Sequence, residues 1–255
     1  MDSGRGEAPS PPEVQVTPPA SDCRRLTRLI SLVTGLVLFS IWLPTRARVA
    51  LLMALRAQLA LVGMLLLFAL ITLSMVWSAG QRLDTRAFLL FNLRGYHPMW
   101  LDRVMFLATQ MGSIGAALVS ALLFFVRNYR RLAVEIILGS ITLWLLVETI
   151  KVLTDRARPF LVLEGTRIIG WRERGRSFPS GHTAQAFFLV TLISHRFQLG
   201  MGRTVAMYAL AALVGVTRIY VGAHYPRDVI GGLVLGSVWA GLAALVDPYW
   251  LGLRF

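Results

Sequence analysis

Long apolar stretches separated by short polar segments dominate the chain from residue 57 onward. The six strongest apolar runs cover residues 57–79, 112–126, 132–150, 183–195, 204–216 and 229–246. About 20 apolar residues in a helix span a bilayer, and the shorter runs reach that length with flanking residues. The pattern predicts an all-α fold, an integral membrane helical bundle with six core transmembrane helices.

An additional N-terminal apolar segment, residues 29–43, lies between two groups of arginines and precedes this core. It has no small-residue cleavage site, so we do not interpret it as a removed signal peptide. Whether it spans the membrane or lies in the interface stays open. The proline-rich residues 1–22 predict a disordered tail. We therefore divide the chain into a tail (1–22), an apolar segment with a basic linker (23–56), a membrane core (57–247) and a short C-terminal tail (248–255).

Composition supports the membrane class and indicates the partners. Hydrophobic residues make up 56% of the chain and the mean hydropathy is +0.63. The net charge of +13 comes from arginines at the ends of apolar runs, which predicts anionic lipid headgroups and phosphate as partners rather than nucleic acid.

The one cysteine, Cys23, excludes an internal disulfide. No cysteine or carboxylate cluster has metal-ligand spacing, so we expect chemistry without metal or cofactor. The oligomeric state is not predicted.

The arginines of the short loops predict the orientation. Arg127, Arg130 and Arg131 follow the second run, and Arg196 and Arg203 follow the fourth. These loops should be cytoplasmic, because short cytoplasmic loops carry an excess of Lys and Arg. Residues 81–111, 151–182 and 217–228 then share the opposite face. The second of these segments is arginine-rich against the rule, which indicates an anionic ligand there.

Three polar strings carry the candidate chemistry on that opposite face. They are KVLTDRARP at 151–159, FPSGH at 178–182 and TRIYVGAHYPRD at 217–228. Each string lies where an apolar helix meets water, the position at which a charge costs least in a membrane protein. The three strings can therefore converge at one end of the bundle.

The first residues of interest are suited to binding a phosphate. Lys151 is the single lysine among 26 basic residues, and with Arg158 and Arg218 it could surround a tetrahedral dianion. Ser180 is predicted to cap a helix that begins near His182, with backbone N–H groups directed at the anion. Gly181 would allow close backbone approach.

Two histidines suggest complementary catalytic roles. His224 precedes Asp228 by four residues, so the carboxylate can orient the imidazole while its other nitrogen attacks phosphorus. His182, at a helix N-terminus, could protonate the leaving oxygen. Asp155 and Arg156 are interpreted as loop electrostatics.

Three further features are interpreted as structural. Glu148 should pair with Lys151 on one helix face. The spacing of Gly232, Gly236 and Ala240 predicts a small-residue packing face. Residues 88–105 form either an interfacial lid at the access rim or a simple connector.

The three strings resemble the signature of the type 2 phosphatidic acid phosphatase superfamily, which also includes vanadium-dependent haloperoxidases. The signature reads K-x6-RP, PSGH and SR-x5-H-x3-D, and one position departs from it, because Thr217 stands where the family usually has serine. The resemblance covers about residues 57–246 and leaves the N-terminal 56 residues unexplained. The matching residues are Lys151, Arg158, Pro159, Pro179, Ser180, Gly181, His182, Arg218, His224 and Asp228.

The resemblance implies a membrane lipid phosphatase with a phosphohistidine intermediate on His224, His182 as general acid and Asp228 as the partner of His224. It implies that Lys151, Arg158, Ser180, Gly181 and Arg218 hold the phosphate. The leading expected substrate is undecaprenyl diphosphate, hydrolysed on the periplasmic face of a bacterial inner membrane. Phosphotransfer to another lipid, or lipid-phosphate binding or transport without catalysis, are the alternatives. A haloperoxidase is disfavoured because those relatives are soluble.

Overall fold

The computed structural model describes residue 34, residues 59–92 and residues 98–250. In the latter two ranges it contains nine α-helices and no strand, which confirms the all-α prediction. The helices are α1 (Leu59–Leu73), α2 (Ser78–Asn92), α3 (Met99–Thr109), α4 (Ile114–Val126), α5 (Arg130–Thr154), α6 (Pro159–Val162), α7 (Gly181–Phe197), α8 (Met201–Tyr220) and α9 (Pro226–Trp250). Short 3₁₀ turns, Ser74–Val76 and Gln110–Gly112, follow α1 and α3.

Part of the predicted domain division lies outside the described residues. The tail at 1–22 is outside them, and so are residues 23–56 apart from Thr34 and residues 251–255. Helix α9 continues to Trp250 and so extends into the segment predicted as a C-terminal tail.

Membrane-spanning potential is concentrated in a few of these helices. Arg130–Val162 and Pro226–Ala244 are long and apolar enough to cross a bilayer, and Met99–Gly112 with Ile114–Val126 is a third candidate if this pair, bent by 60°, is one span. Helix α7 has 17 residues and a length of about 26 Å, short of the roughly 30 Å of a hydrocarbon core. The protein is an integral membrane protein, and the count of six core spans stays a prediction.

Helix α7 lies at the centre of the bundle, and α9 packs closely against it. A Cβ added at Gly232 would lie 2.5 Å from the carbonyl oxygen of Ser180, and one at Gly236 would lie 2.1 Å from that of Ala184. Only glycine permits these approaches, because real Cβ contacts are never so short. The predicted small-residue face is confirmed as a packing face.

Two arginine-bearing loops meet at the end of the bundle opposite the candidate site. Tyr129, just before α5, contacts Phe197 at the end of α7 with 5.3 Å between ring centroids. Arg131 and Arg196 both approach Glu135, at 3.6 and 3.8 Å. The loops predicted to share the cytoplasmic face are therefore neighbours.

Residues 93–97 of the segment 88–105 lie outside the described residues, and the remaining ones include buried and exposed side chains. Phe88 is fully buried and packs edge-on against Tyr225, with 5.6 Å between ring centroids. Met99 and Trp100, at the start of α3, are largely exposed. The lid prediction is therefore wrong for Phe88, whose apolar ring belongs to the core, while the start of α3 lies at the surface.

Candidate active site

The three polar strings converge at one end of the bundle because each stands at a helix terminus. Lys151 lies in the last turn of α5, which ends at Asp155 in a left-handed conformation with φ 48°. His182 lies in the first turn of α7. His224 lies in the turn between α8 and α9, and Asp228 in the first turn of α9. The structure thus brings the sequence-predicted residues into one site.

His224 is held between a carboxylate and a guanidinium. Its Nδ1 atom lies 3.6 Å from Asp228 Oδ2, slightly beyond hydrogen-bond distance, and Arg158 Nη1 lies 3.3 Å from its Nε2. The side chain is 1% exposed. Burial first, and then the charge of Arg158, lowers the pKa of His224 to about 4. At neutral pH the imidazole therefore carries a lone pair, as a nucleophile requires.

Asp228 receives hydrogen bonds from three other groups. The Ser177 hydroxyl and the Tyr225 backbone N–H donate to Oδ2, and Arg156 donates to Oδ1. Asp228 is fully buried. Its position is therefore fixed by the surrounding polar groups as well as by His224.

A network that we call the closed cluster lies behind Asp228, formed by Arg156, Asp84, Asp228 and Arg227. The Arg156 guanidinium bonds to Asp84 and Asp228 and lies 4.2 Å from the Tyr225 ring centroid. Arg227 adds a contact of 3.1 Å to Asp84. Arg156 and the two carboxylates are 4% exposed or less. This network holds Asp228 in position and connects it to helix α2 through Asp84.

The closed cluster corrects the interpretation of Arg156 as loop electrostatics. Arg156 is buried because two carboxylates distant in sequence enclose it. Asp155 matches that interpretation, since it pairs with Arg176 and both side chains are about 40% exposed. Sequence reasoning missed Asp84 entirely, because nothing near it in the chain forms a motif.

A second network, the open cluster, consists of Glu173, Arg158 and Arg218 and faces the cavity. Glu173 Oε2 lies 2.9 Å from Arg158 Nη1, and its Oε1 pairs with Arg218. The arginines are 2% and 3% exposed, whereas Glu173 is 30% exposed. Although burial alone would raise the pKa of Glu173, the charges of Arg218 and Arg158 hold that pKa well below its usual range. Glu173 was not among the predicted site residues.

His182 lies on the other side of the same carboxylate. Its Nδ1 is 3.9 Å from Glu173 Oε1, and its side chain is 27% exposed. Burial first, and then the charge of Arg218, lowers the pKa of His182 to about 3. The imidazole is therefore neutral at pH 7 in this state, so a general acid here needs an added anion to favour its protonated form.

The remaining predicted phosphate ligands differ in accessibility. Lys151 and Gly181 line the cavity, and Lys151 Nζ pairs with Glu148 Oε1 at 2.7 Å as predicted. Ser180 is the N-cap residue of α7 as predicted, but its side chain makes no capping hydrogen bond and it is fully buried. Its backbone N–H donates to the Asp228 carbonyl oxygen at 2.9 Å, and its hydroxyl accepts from Thr183. That N–H is therefore not directed at the anion site, and a phosphate contact of Ser180 stays a prediction.

Two cavities meet at Glu173 and His182. The first, of about 310 Å³, is lined by Lys151 and His224 and by the apolar side chains of Ile114, Leu143, Trp144 and Val147. The second, of about 300 Å³, contains Arg218 and Thr109, with Phe106, Phe160 and Ile169 around them. Both cavities combine apolar walls with cationic groups, as a binding site for an anionic amphiphile does.

Comparison with known proteins identifies the family. Residues 128–251 match the model of the PAP2 superfamily. The chain is 29% identical over 134 residues to an undecaprenyl-diphosphatase of Sulfolobus acidocaldarius, covering 51% of this chain and 62% of that protein. It is 30% identical over 187 residues to phosphatidylglycerophosphatase B of Bacillus subtilis, covering 68% and 85%.

A solved structure extends the comparison to the fold. The crystal structure of a transmembrane PAP2 type phosphatidylglycerolphosphate phosphatase from Bacillus subtilis superposes with a TM-score of 0.61 at 25% identity, covering 76% of this chain and 98% of that one. Sequence match, fold and site thus agree that the chain belongs to the PAP2 superfamily.

Proposed function

We propose that this protein is a membrane lipid phosphatase that removes a terminal phosphate through a phosphohistidine on His224. The observation that carries the proposal is the position of His224, whose Nε2 shares one site with Arg158 and Arg218 while Asp228 lies behind Nδ1. A buried neutral imidazole beside two guanidinium groups suits attack on a bound phosphate.

In the first step His224 Nε2 attacks phosphorus, an N–P bond forms and the bond from phosphorus to the leaving oxygen breaks. His182 supplies the proton that the leaving oxygen needs. A phosphate dianion bound beside His182 favours its protonated form, offsetting the burial that lowers its pKa. In the second step water attacks phosphorus, gives a proton to His182 and breaks the N–P bond.

Lipid substrates are supported by the walls of the first cavity. Ile114 is on α4 and Trp144 on α5, and each is about half exposed on the outside of the bundle. An apolar chain can therefore lie against these helices while its phosphate reaches Lys151 and His224. The name of the Sulfolobus relative favours undecaprenyl diphosphate as the leading substrate, with phosphatidylglycerol phosphate, phosphatidic acid and lipid A as the alternatives to compare.

The test is phosphate release from these four lipids by the purified protein in detergent with a chelator. His224→Ala should release no phosphate above background. His195→Ala is the matched control, because His195 is exposed at the opposite end of α7 and should retain activity. Activity in His224→Ala would overturn the proposal.

The covalent step and the alternatives can be separated with labelled substrate. The proposed intermediate is acid-labile phosphate on His224, and vanadate should compete with substrate as a mimic of five-coordinate phosphorus. Label that moves to another lipid instead of water would indicate a phosphotransferase. Binding of substrate without turnover would indicate a binder or transporter. A site facing the periplasm of a bacterial inner membrane is part of the same proposal.

A further inference from the structure

The carboxylate of Glu173 contacts the same side chains that a bound phosphoryl group would contact. Its two oxygens bind two different arginines, Oε2 to Arg158 and Oε1 to Arg218. The same oxygens lie 3.9 Å from His224 Nε2 and from His182 Nδ1. The carboxylate therefore stands between the proposed nucleophile and the proposed acid, where the transferred phosphate has to lie.

Any anionic ligand of these arginines must first separate them from Glu173. Hydrogen bonds between charged groups are stronger than those between neutral groups, so an anion binds only if its contacts with the arginines outweigh those of Glu173. A terminal phosphate, with two negative charges and three free oxygens, can replace the carboxylate with a gain in contacts. A phosphodiester headgroup, with one charge and two free oxygens, gains little over the carboxylate it replaces.

We propose that Glu173 is a specificity-determining residue, an internal anion that keeps the phosphodiester headgroups of the surrounding bilayer off Arg158 and Arg218 and yields to a terminal phosphate. The proposal rests on the proposed function. It gives a physical reason for a carboxylate in a phosphate site, because the bilayer offers phosphodiesters in large excess over any terminal-phosphate lipid.

The loop that carries Glu173 lies at the surface, and its backbone is bonded to Arg158. Gly170 and Gly175 flank it with φ of +85° and +87°, and Trp171 is 88% exposed. The Gly175 carbonyl oxygen accepts from Arg158 Nε at 3.3 Å. The side chain also borders the second cavity, and the proposal requires a change of side-chain rotamer into that space.

The alternative role is positioning, in which Glu173 orients His182 or Arg218 for catalysis. The two roles predict changes in different kinetic constants when the charge of Glu173 is removed. If Glu173 competes with substrate, Glu173→Gln lowers KM and leaves kcat nearly unchanged. If it orients a catalytic group, the same substitution lowers kcat.

The experiment measures phosphate release from phosphatidic acid in mixed micelles, with phosphatidylglycerol or zwitterionic phosphatidylcholine as the added lipid. In Glu173→Gln we expect KM and the inhibition constant of inorganic phosphate to fall about tenfold, the loss of one charge-assisted contact. We also expect competitive inhibition by phosphatidylglycerol that the wild type does not show, and weaker inhibition by phosphatidylcholine, whose choline cation offsets the charge of its phosphodiester.

Glu164→Gln is the matched control, since Glu164 is an exposed carboxylate of the same loop and its removal changes the net charge equally. Glu173→Asp, one methylene shorter, should reach the two arginines less well and give an intermediate KM, and it serves if Glu173→Gln does not fold. An unchanged KM, or a lower kcat, in the Glu173 variants would overturn the proposal. Absence of phosphate release by the wild type would instead overturn the proposed function.

Discussion

The closed cluster and the open cluster each pair arginines with carboxylates, and they differ in their surroundings. Arg156 is enclosed by Asp84 and Asp228, and these three side chains are at most 4% exposed. Arg158 and Arg218 share Glu173, which is 30% exposed and borders two cavities. Removing one partner of a fully buried pair leaves an uncompensated charge, whereas an accessible carboxylate can turn to water. The first arrangement suits permanent positioning, and the second suits exchange with a ligand.

The largest expected effect is that of breaking the closed cluster. Arg156→Met leaves the buried Asp228 without a guanidinium and Asp84 with Arg227 alone, so the free energy of unfolding should fall by about 3 to 5 kcal/mol. Thermal unfolding in detergent measures the change. Arg176→Met is the control, because the exposed Arg176–Asp155 pair should contribute only about 0 to 1 kcal/mol. Equal destabilisation by both substitutions would contradict a structural role for the closed cluster.

Breaking the open cluster should affect catalysis more than stability. Arg218→Met removes a cation from the reacting phosphate, and kcat/KM should fall about 100- to 1,000-fold. Glu173 can then turn toward solvent, so the unfolding midpoint should move less than in Arg156→Met. Phosphate-release kinetics and thermal unfolding of the same preparation check both parts. A midpoint as low as that of Arg156→Met would remove the distinction between the clusters.

Substitutions at two glycines should also separate an effect on activity from an effect on stability, with a smaller expected change. A Cβ at Gly181 meets nothing closer than Val147 Cγ1 at 3.7 Å, so Gly181→Ala fits the protein but hinders an approaching phosphate. We expect activity to fall about tenfold, or 1.4 kcal/mol, with unchanged stability. Gly232→Ala should instead lower the unfolding midpoint, because its Cβ would lie 2.5 Å from the Ser180 carbonyl oxygen. Full activity in Gly181→Ala would place the phosphate elsewhere.

The smallest expected effect concerns pH. His224 has a pKa of about 4 in the folded protein and an ordinary value near 6.5 in the unfolded chain. Between these values the unfolded chain binds more protons, so the contribution of His224 to stability is complete above pH 6.5 and decreases as the pH falls toward 4. At pH 5.5 the loss should be about 1 kcal/mol. His224→Ala should show a correspondingly weaker decrease between pH 7 and 5.5, and an identical decrease would contradict the buried neutral imidazole.

The residues found from the sequence are those whose partners are close in the chain. Lys151 and Arg158 stand seven positions apart and His224 and Asp228 four apart, so local spacing alone suggested phosphate binding and an oriented imidazole. The apolar runs similarly predicted the cores of α4, α5 and α7 to α9. The helices extend beyond those runs at the site, because their terminal turns carry the polar residues.

The residues that the sequence did not reveal depend on contacts between distant segments. Asp84 and Asp228 are each 72 positions from Arg156, so nothing local shows that this arginine is enclosed. Glu173 left a weak signal, a carboxylate among the arginines of 167–176. Its position between Arg158 and Arg218 follows only from the fold, which brings residues 45 positions apart into contact.

The pairing of Lys151 with Glu148 at the cavity has a practical consequence for solution experiments. Lys151 is the single lysine of the chain, so its side chain is the one primary amine besides the amino terminus. The Lys151 side chain is 13% exposed, and it lines the cavity that also contains His224. An amine-selective reagent therefore modifies the protein at this cavity through Lys151. A ligand that slows the modification of Lys151 shows that the cavity is occupied, and no label has to be introduced.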